Sequence, residues 1–293
     1  MICAKVIKLS IAQNLFTIKY AWLILKLEIE IMNLDLTGKR AMVCGSTQGI
    51  GFATALELSQ MGCTVTLVAR NAEKLQEAKA QLATNHDQIH ETLQADFSNP
   101  SQLESALKAY LADSKMINIL VNNTGGPPAG QAIDAKLDEF QSAFNQHLLC
   151  NHILATALVP GMKASGYGRI INVISTSVKQ PLSNLGVSNT IRGAVANWSK
   201  TLANELGQFN ITVNNVLPGA TNTLRLKNIV ENKANQTGQK QEDVLAAMGN
   251  QVPMKRVAEP EEVANAIAFL ASPAASYING INVPVDGGRT GCL

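Results

Sequence analysis

A cluster of glycines follows a short apolar run near the start of the chain, and its spacing indicates phosphate chemistry. The segment 40–51 reads RAMVCGSTQGIG. The apolar run has the character of a buried strand, and the residues from Phe52 to Gln60 have helical spacing. A strand, a glycine turn and a helix start allow the backbone to approach a pyrophosphate, whose charge the helix N-terminus favours. The sequence therefore predicts a phosphate site formed by Gly45, Ser46, Gln48, Gly49, Ile50 and Gly51.

The end of the next predicted strand carries a positive charge. Thr64 to Ala69 alternate as a strand and are followed by Arg70. In a dinucleotide fold this strand end, about 20 residues past the glycines, faces the adenosine ribose, where an acid would bind both hydroxyls. Here no acid is present, and the Arg70 guanidinium suits a 2′-phosphate, which favours NADP(H) over NAD(H). The alternative is an exposed arginine at the start of the next helix.

Polar residues also follow two later strands. Thr92 to Ala95 precede Asp96 and Phe97, and Asp96 could accept a hydrogen bond from an adenine amino group or serve only in helix capping. Ile117 to Val121 precede a segment that begins with two asparagines and includes Asn123 and Gly125. The carboxyl ends of strands in open parallel sheets are where ligands bind.

The order of predicted elements indicates the fold class. Strands alternate with helices along the chain, which implies a doubly wound Rossmann fold, an α/β architecture with a seven-stranded, mainly parallel sheet covered by helices on both faces. The remaining predicted strands are 169–174, 211–216 and 281–285, and the remaining predicted helices are 71–84, 101–113, 137–165, 185–206 and 260–271.

Composition narrows the classes of protein. The 293 residues are 46% hydrophobic and 16% charged, which suits one globular domain over 32–293. A net charge of +2 gives no general reason to bind nucleic acid. The cysteines have neither disulfide nor zinc spacing, so we expect no metal site and reduced, buried thiols in a cytoplasmic protein. They are Cys3, Cys44, Cys63, Cys150 and Cys292.

Residues 1–31 differ from the rest of the chain. The stretch 11–31 is strongly apolar, but two lysines and two glutamates interrupt it, so it is a poor membrane span and a poor signal peptide. We interpret it as an N-terminal extension outside the fold, with Met32 as the biological start. An amphipathic helix that binds a membrane surface or a partner is the alternative.

The motifs together resemble those of the short-chain dehydrogenase/reductase family, from about residue 33 to the C-terminus. The closest resemblance is to 3-oxoacyl-(acyl carrier protein) reductase-like members. The family implies a Rossmann fold, a nicotinamide cofactor, and hydride transfer between the cofactor and a carbonyl or alcohol, with a small molecule or acyl thioester as substrate. It also implies a homodimer or homotetramer formed through the helices 137–165 and 185–206. The matching motifs are Gly45-x-x-x-Gly49-x-Gly51, Asp96, Asn122-Asn123-x-Gly125, Ser175, Pro218-Gly219 with Thr223, and Val285-Asp286-Gly287-Gly288.

The catalytic tetrad of that family is altered. Its serine matches Ser175, but the tyrosine position is Ser188, the lysine position is Arg192, and the asparagine position is His147. A serine hydroxyl is far less acidic than a phenol, and a guanidinium does not release its proton, although Arg192 could still hold the nicotinamide ribose. His147 could relay protons or be structural. Lys179 could lean over the substrate or be a solvated loop residue.

Two segments after the sixth strand complete the predicted site. The turn that includes Pro218, Gly219, Thr221 and Thr223 is expected to contact the carboxamide and pyrophosphate of the cofactor. The polar segment 225–252 has a helical pattern that suits a mobile lid over the substrate.

These observations favour an atypical NADP(H)-dependent oxidoreductase that acts on a carbonyl compound, hypothetically a 3-oxoacyl thioester. A non-catalytic NADP(H)-binding sensor or regulatory protein is the main alternative. A structural subunit paired with an active relative is the third.

Overall fold

A single parallel sheet organises the described part of the chain. The computed structural model describes residues 32–112 and 115–292, and from Leu34 onward they form one compact unit. Seven strands pair in the order β3-β2-β1-β4-β5-β6-β7, and every pair is parallel. This confirms the Rossmann prediction, including the number of strands. The strands are β1 Arg40–Cys44, β2 Thr64–Ala69, β3 Glu91–Gln94, β4 Ile119–Asn122, β5 Gly168–Val173, β6 Ile211–Pro218 and β7 Asn282–Val285.

Helices connect the strands and cover both faces of the sheet. A π-helical segment, Asn145–Leu149, joins α4 to α5 without a break, and a short 3-10 turn, Thr176–Val178, follows β5. The α-helices are α1 Gly49–Gln60, α2 Ala72–Lys79, α3 Pro100–Leu111, α4 Leu137–Phe144, α5 Cys150–Ser165, α6 Gly186–Leu206, α7 Leu224–Thr237, α8 Gln241–Asn250 and α9 Pro260–Ala271.

Two apolar clusters hold the layers together. On one face, Leu58 of α1 and Ile267 of α9 pack with the strand residues Val43 and Val121. On the other face, residues of α3, α5 and α6 pack against strand residues that include Met42 and Leu120. Strands buried on both faces read as continuous apolar runs, which is why the sequence pattern identified them.

A row of asparagines crosses four neighbouring strands of the sheet. Asn122, Asn172, Asn215 and Asn282 occupy neighbouring register positions on β4, β5, β6 and β7. Hydrogen bonds of 2.8, 3.1 and 2.8 Å between the side-chain amides link each asparagine to the next. Asn172 also donates to the Ser199 hydroxyl of α6 at 2.9 Å. This asparagine ladder ties the side chains of the four strands together, with Asn122 and Asn172 at or next to the ends of β4 and β5.

Several predicted boundaries need correction. The helix predicted over 137–165 contains the π-helical segment, and the helix predicted over 71–84 ends at Lys79. Beyond it, the chain turns back, and the Ala83 amide donates to the Ser59 hydroxyl of α1. The predicted lid segment forms two helices, because the chain reverses at Gly238, whose φ is +69°.

The interpretation of residues 1–31 as an extension lies outside the described residues. Within the described ranges, no helix combines the length and the apolar character needed to cross a lipid bilayer.

Candidate functional site

The glycine turn has the geometry of a phosphate cradle. Gly45 and Gly49 have φ values of +60° and +57°, a region that glycine enters without strain. No side chain caps the N-terminus of α1, so its first N–H groups remain available to a ligand. The Ser46 side chain is fully buried and accepts from the Val68 amide at 2.9 Å, so only its backbone could face a ligand.

Asn123 braces this turn from the neighbouring strand end. Its side-chain amide donates to the carbonyl oxygens of Cys44 and Gly45 at 3.2 and 3.3 Å. The predicted role of Asn123 in cofactor binding is therefore indirect in this geometry, because the amide holds the turn in shape. Gly125, two residues further on, has open space beside it.

The turn after β6 meets the glycine turn, although about 170 residues separate them in the sequence. A side chain at Gly49 would lie 3.1 Å from the Thr223 methyl group. Thr223 also caps α7 by accepting from the Leu226 amide at 3.4 Å. The Thr221 hydroxyl donates to the Gly219 carbonyl at 3.1 Å, and the Gly219 amide donates to Val285 in β7. Pro218 and Gly219 thus lie at the same edge of the sheet as the glycine turn.

The predicted adenosine end lies at the ends of β2 and β3. Arg70 is exposed, and Asn71 rather than Arg70 caps α2 by accepting from Lys74. Asp96 is half-buried, and one of its oxygens accepts from the Ser98 amide at 2.9 Å, which lowers the pKa of the carboxyl. The Phe97 side chain packs in the core, so only its backbone borders this end.

These features fit a dinucleotide. The open helix N-terminus and the glycines with positive φ suit a pyrophosphate, and the exposed Arg70 suits an additional phosphate. No group of three histidine, cysteine, aspartate or glutamate side chains that could hold a metal ion occurs in the described ranges.

His147 lies in the π-helical segment and is fully buried. Its Nδ1 and the Thr124 hydroxyl are 2.7 Å apart, while its buried Nε2 has no partner within the described part of the chain. Burial, followed by the positive charges of Arg192 and Arg225, lowers the pKa of the ring to about 2. The ring is therefore neutral at neutral pH, and the proton-relay role of His147 stays a prediction. A role through hydrogen bonding of the neutral imidazole stays open.

Ser188 and Arg192 lie one turn apart near the start of α6, and both are buried. The Arg192 guanidinium donates to the Val173 carbonyl at the end of β5, at 3.2 Å. Burial, followed by the charge of Arg225, lowers the pKa of Arg192 to about 10, so the side chain remains a cation at neutral pH. Arg192 thus reaches the end of β5, two residues before Ser175.

Ser175 stands where β5 gives way to the 3-10 turn. Its half-buried hydroxyl accepts from the Ser177 amide at 3.1 Å, which leaves its own proton free to donate. The Ser177 hydroxyl is buried and has no partner among the described residues. Lys179 is half-buried at the end of the same turn.

Sequence reasoning missed one charged residue of the site. Arg225 lies in the first turn of α7 and donates to the carbonyls of Gly126 and Pro127, at 2.8 and 3.2 Å. The sequence shows that Arg225 follows Thr223 by two residues. No local sequence pattern indicates that its side chain contacts a loop about 100 residues away.

The cysteines are mostly as expected. Cys44, Cys63 and Cys150 are buried free thiols, and burial raises the pKa of Cys150 to about 11 and of Cys63 to about 12. Cys292 is exposed, so the expectation of burial is wrong there, because the end of the chain lies at the surface.

The family is shown by comparison with known proteins. Residues 45–290 match the family model described as enoyl-(acyl carrier protein) reductase. The chain therefore belongs to the short-chain dehydrogenase/reductase family.

Three relatives indicate the range of the similarity. The NADPH-dependent reductase BacG of Bacillus subtilis is 30% identical, over 85% of this chain and 97% of the relative. The 3-oxoacyl-(acyl-carrier-protein) reductase FabG of Vibrio cholerae is 33% identical, over 87% of this chain and 98% of the relative. The crystal structure of L-sorbose reductase from Gluconobacter frateurii, complexed with NADPH and L-sorbose, superimposes with a TM-score of 0.84, at 32% identity over 89% of this chain and all of that structure.

Proposed function

We propose that this chain is an NADP(H)-dependent oxidoreductase that interconverts a carbonyl compound and its alcohol. The observation that carries the proposal is that the uncapped glycine turn follows the carboxyl end of β1, while Ser175 and Arg192 lie at the carboxyl end of β5 in the same parallel sheet. A cofactor cradle and a polar site thus share the edge where parallel sheets bind ligands. The printed descriptions of BacG and of L-sorbose reductase, which name NADPH, support the choice of cofactor.

Each part of the cradle has a role in this proposal. Gly45, Gly49, Ile50 and Gly51 hold the pyrophosphate, with Ser46 and Gln48 contributing backbone groups. Arg70 pairs with the 2′-phosphate, while Asp96 and the Phe97 backbone border the adenine. The turn from Pro218 to Thr223 closes over the nicotinamide half of the cofactor.

Bound NADPH supplies the hydride, and the protein must stabilise the charge that develops on the substrate oxygen. The Ser175 hydroxyl donates a hydrogen bond to that oxygen, and the buried Arg192 cation favours its negative charge. Arg192 also takes the ribose-binding place of the family lysine. Ser188 and the neutral His147 complete the polar wall. Because neither tyrosine nor lysine stands at the usual positions, we propose that this tetrad is atypical and that the proton arrives by another route.

We further propose a cytoplasmic homo-oligomer that acts on a small molecule or an acyl thioester. The FabG relatives make a 3-oxoacyl thioester a candidate substrate, while the sorbose reductase structure shows that the same fold also accepts a sugar. The alternative proposal is a non-catalytic NADP(H) sensor, and the specific observation in its favour is the serine at the tyrosine position.

Binding and turnover together test the proposal. Purified protein is titrated with NADPH by fluorescence, and NADPH oxidation is then followed with a panel of short 3-oxoacyl thioesters, sugars, aldehydes and keto compounds. We expect saturable binding and turnover of at least one class. Ser175→Ala should lower kcat about tenfold or more while leaving the NADPH Kd within about twofold, because it removes a contact to the reacting oxygen.

Binding without turnover of any compound would support the sensor instead. The absence of binding would contradict both proposals.

A further inference from the structure

Two arginines from distant parts of the chain lie at the substrate end of the site. Arg192 projects from α6 to the Val173 carbonyl at the end of β5. Arg225 projects from α7 to the carbonyls of Gly126 and Pro127, in the loop after β4. β4 and β5 are adjacent strands, with Asn122 opposite Asn172, so the two guanidinium groups approach neighbouring strand ends.

His147 lies between these two contacts. Thr124, whose hydroxyl bonds to the His147 ring, precedes the Arg225-bound loop carbonyls by two and three residues. The charges of both arginines lower the pKa of His147, and the charge of Arg225 lowers that of Arg192. The two arginines therefore form one cationic cluster beside the neutral imidazole of His147.

Among the residues that the structure describes, the two arginines have no negative partner. Ion pairs in the described ranges involve Arg40, Lys115 and Arg256, and neither Arg192 nor Arg225 has a carboxylate within 4.0 Å. All the protein acceptors recorded for the two guanidinium groups are backbone carbonyls. Arg192 is buried, whereas Arg225 is exposed. A buried charge such as that of Arg192 ordinarily has an ionic partner, because desolvation is costly without one.

We propose that the pair Arg192 and Arg225 binds a carboxylate of the substrate, so that the enzyme acts on keto acids rather than on neutral ketones. This inference rests on the proposed function and specifies its substrate class. A guanidinium with free N–H groups binds a carboxylate through charge-assisted hydrogen bonds. The neutral His147 tolerates the neighbouring cations and leaves its unpartnered Nε2 as a further polar contact.

The phosphates of the cofactor are the other anion that could meet this cluster. The pyrophosphate cradle lies at the glycine turn, whereas the Arg225 guanidinium extends over the loop after β4. Measuring the affinities for the cofactor and for the substrate separately distinguishes the two sources of negative charge.

The test compares carboxylates with their esters by calorimetry on the full-length protein saturated with NADP+, which cannot reduce a keto group. The probes are benzoylformate with methyl benzoylformate, and levulinate with methyl levulinate. We expect at least one carboxylate to bind about tenfold or more tightly than its ester, since a hydrogen bond to a charged group is being gained. Arg225→Gln should abolish this preference while leaving the NADPH Kd within about twofold.

Lys227→Gln is the matched control, because it removes an equal charge from an exposed position on the same helix. It should preserve the preference for the carboxylate. Arg192→Lys keeps the charge but loses the planar guanidinium group. It should weaken the binding of the carboxylate about tenfold and that of the ester little.

Equal affinities for acid and ester, or no binding of either carboxylate, would overturn the inference. A loss of NADPH affinity in Arg225→Gln that matches the loss of carboxylate affinity would assign the cluster to the cofactor and would also overturn it. Carboxylate binding without NADPH oxidation would support the anion site and contradict the proposed catalysis. Turnover of neutral ketones alone would support the proposed catalysis and contradict the anion site.

Discussion

His147 shows how burial changes the chemistry that a residue type suggests. An imidazole at this position of the sequence predicts a group that titrates near neutral pH, but the ring is fully buried beside two arginines. Protonating it would place a third positive charge near the two arginines, on a ring that water does not reach. The residue therefore acts as a fixed hydrogen-bonding group, and the sequence could not show this, because the arginines come from elsewhere in the chain.

The lowered pKa of His147 makes stability depend on pH. The ring has a pKa of about 2 in the folded protein and an ordinary value near 6.5 when unfolded, so below pH 6.5 the unfolded state binds the extra proton. Stability is complete above pH 6.5 and falls as the pH falls below it. Between pH 6.5 and 5 we expect the free energy of unfolding of the wild-type protein to fall by about 2 kcal/mol more than that of His147→Asn. Urea unfolding at several pH values measures both. Identical pH dependence in both proteins would contradict the neutral buried ring.

Arg70 tests the preference for NADP(H) at the scale of one side chain. Its guanidinium is exposed at the end of β2, where a 2′-phosphate can pair with it. Arg70→Ala should raise the Kd for NADPH about tenfold or more and change that for NADH by less than about twofold. Lys74→Ala removes a nearby exposed charge from α2 and should affect both cofactors little. An equal loss for both cofactors in Arg70→Ala would refute the assignment.

The strands and most helices were predictable, since they depend on local pattern. Continuous apolar runs mark the buried parallel strands, and helical spacing marks the layers above them. The π-helical segment was not predictable, because one extra residue per turn leaves the apolar pattern of a long helix almost unchanged. The end of α2 at Lys79 depends on a contact of the following loop with Ser59, which no local pattern contains.

The asparagine ladder was also hidden in the sequence. Each asparagine lies in a different strand, and only the register brings Asn122, Asn172 and Asn215 into line. An asparagine in a buried strand is unfavourable alone, but here the side chains largely satisfy one another. The ladder is thus a property of the assembled sheet.

Asn172 is the centre of this ladder, with bonds to both neighbouring strands and to Ser199. Asn172→Leu leaves buried polar groups of its neighbours without partners, so we expect a loss of about 2 to 4 kcal/mol in the free energy of unfolding. Asn282→Leu, at the half-buried end of the ladder, should cost less than about 1.5 kcal/mol. Urea unfolding measures both variants. An equal loss of unfolding free energy in the two would contradict the central role of Asn172.

At the scale of the whole molecule, α5 and α6 carry the predicted oligomer interface. Along α6, Gly193 is half-buried, and a side chain at this position would meet no atom within 4 Å in the described structure. Such an open small-residue surface allows another helix to approach closely.

A charged side chain at Gly193 should therefore disrupt assembly without unfolding the subunit. We expect the wild-type protein to be a dimer or tetramer by light scattering, and Gly193→Glu to have a lower mass with its far-ultraviolet circular dichroism retained. Gln81→Glu adds a charge at an exposed position of another surface and should keep the wild-type mass. A monomeric wild-type protein, or an unchanged mass in Gly193→Glu, would contradict the predicted interface.

The placement of the site was predictable in outline and incomplete in detail. The motif around Gly49 predicted the cofactor end of the site and the motif around Ser175 predicted the substrate end, because each motif is local in the sequence. Arg225 and its contacts with Gly126 and Pro127 escaped prediction, because they join segments that only the folded sheet brings together.

Transfer of a labelled hydride tests the central claim most directly. The protein is incubated with NADPH that carries deuterium at both C4 positions of the nicotinamide, together with the carbonyl compound that gives the fastest NADPH oxidation or, if none does, with each probe in turn. We predict one deuterium in the alcohol product by mass spectrometry, with loss of one from the cofactor. Saturable binding of the labelled NADPH with no deuterium in any product would contradict an oxidoreductase.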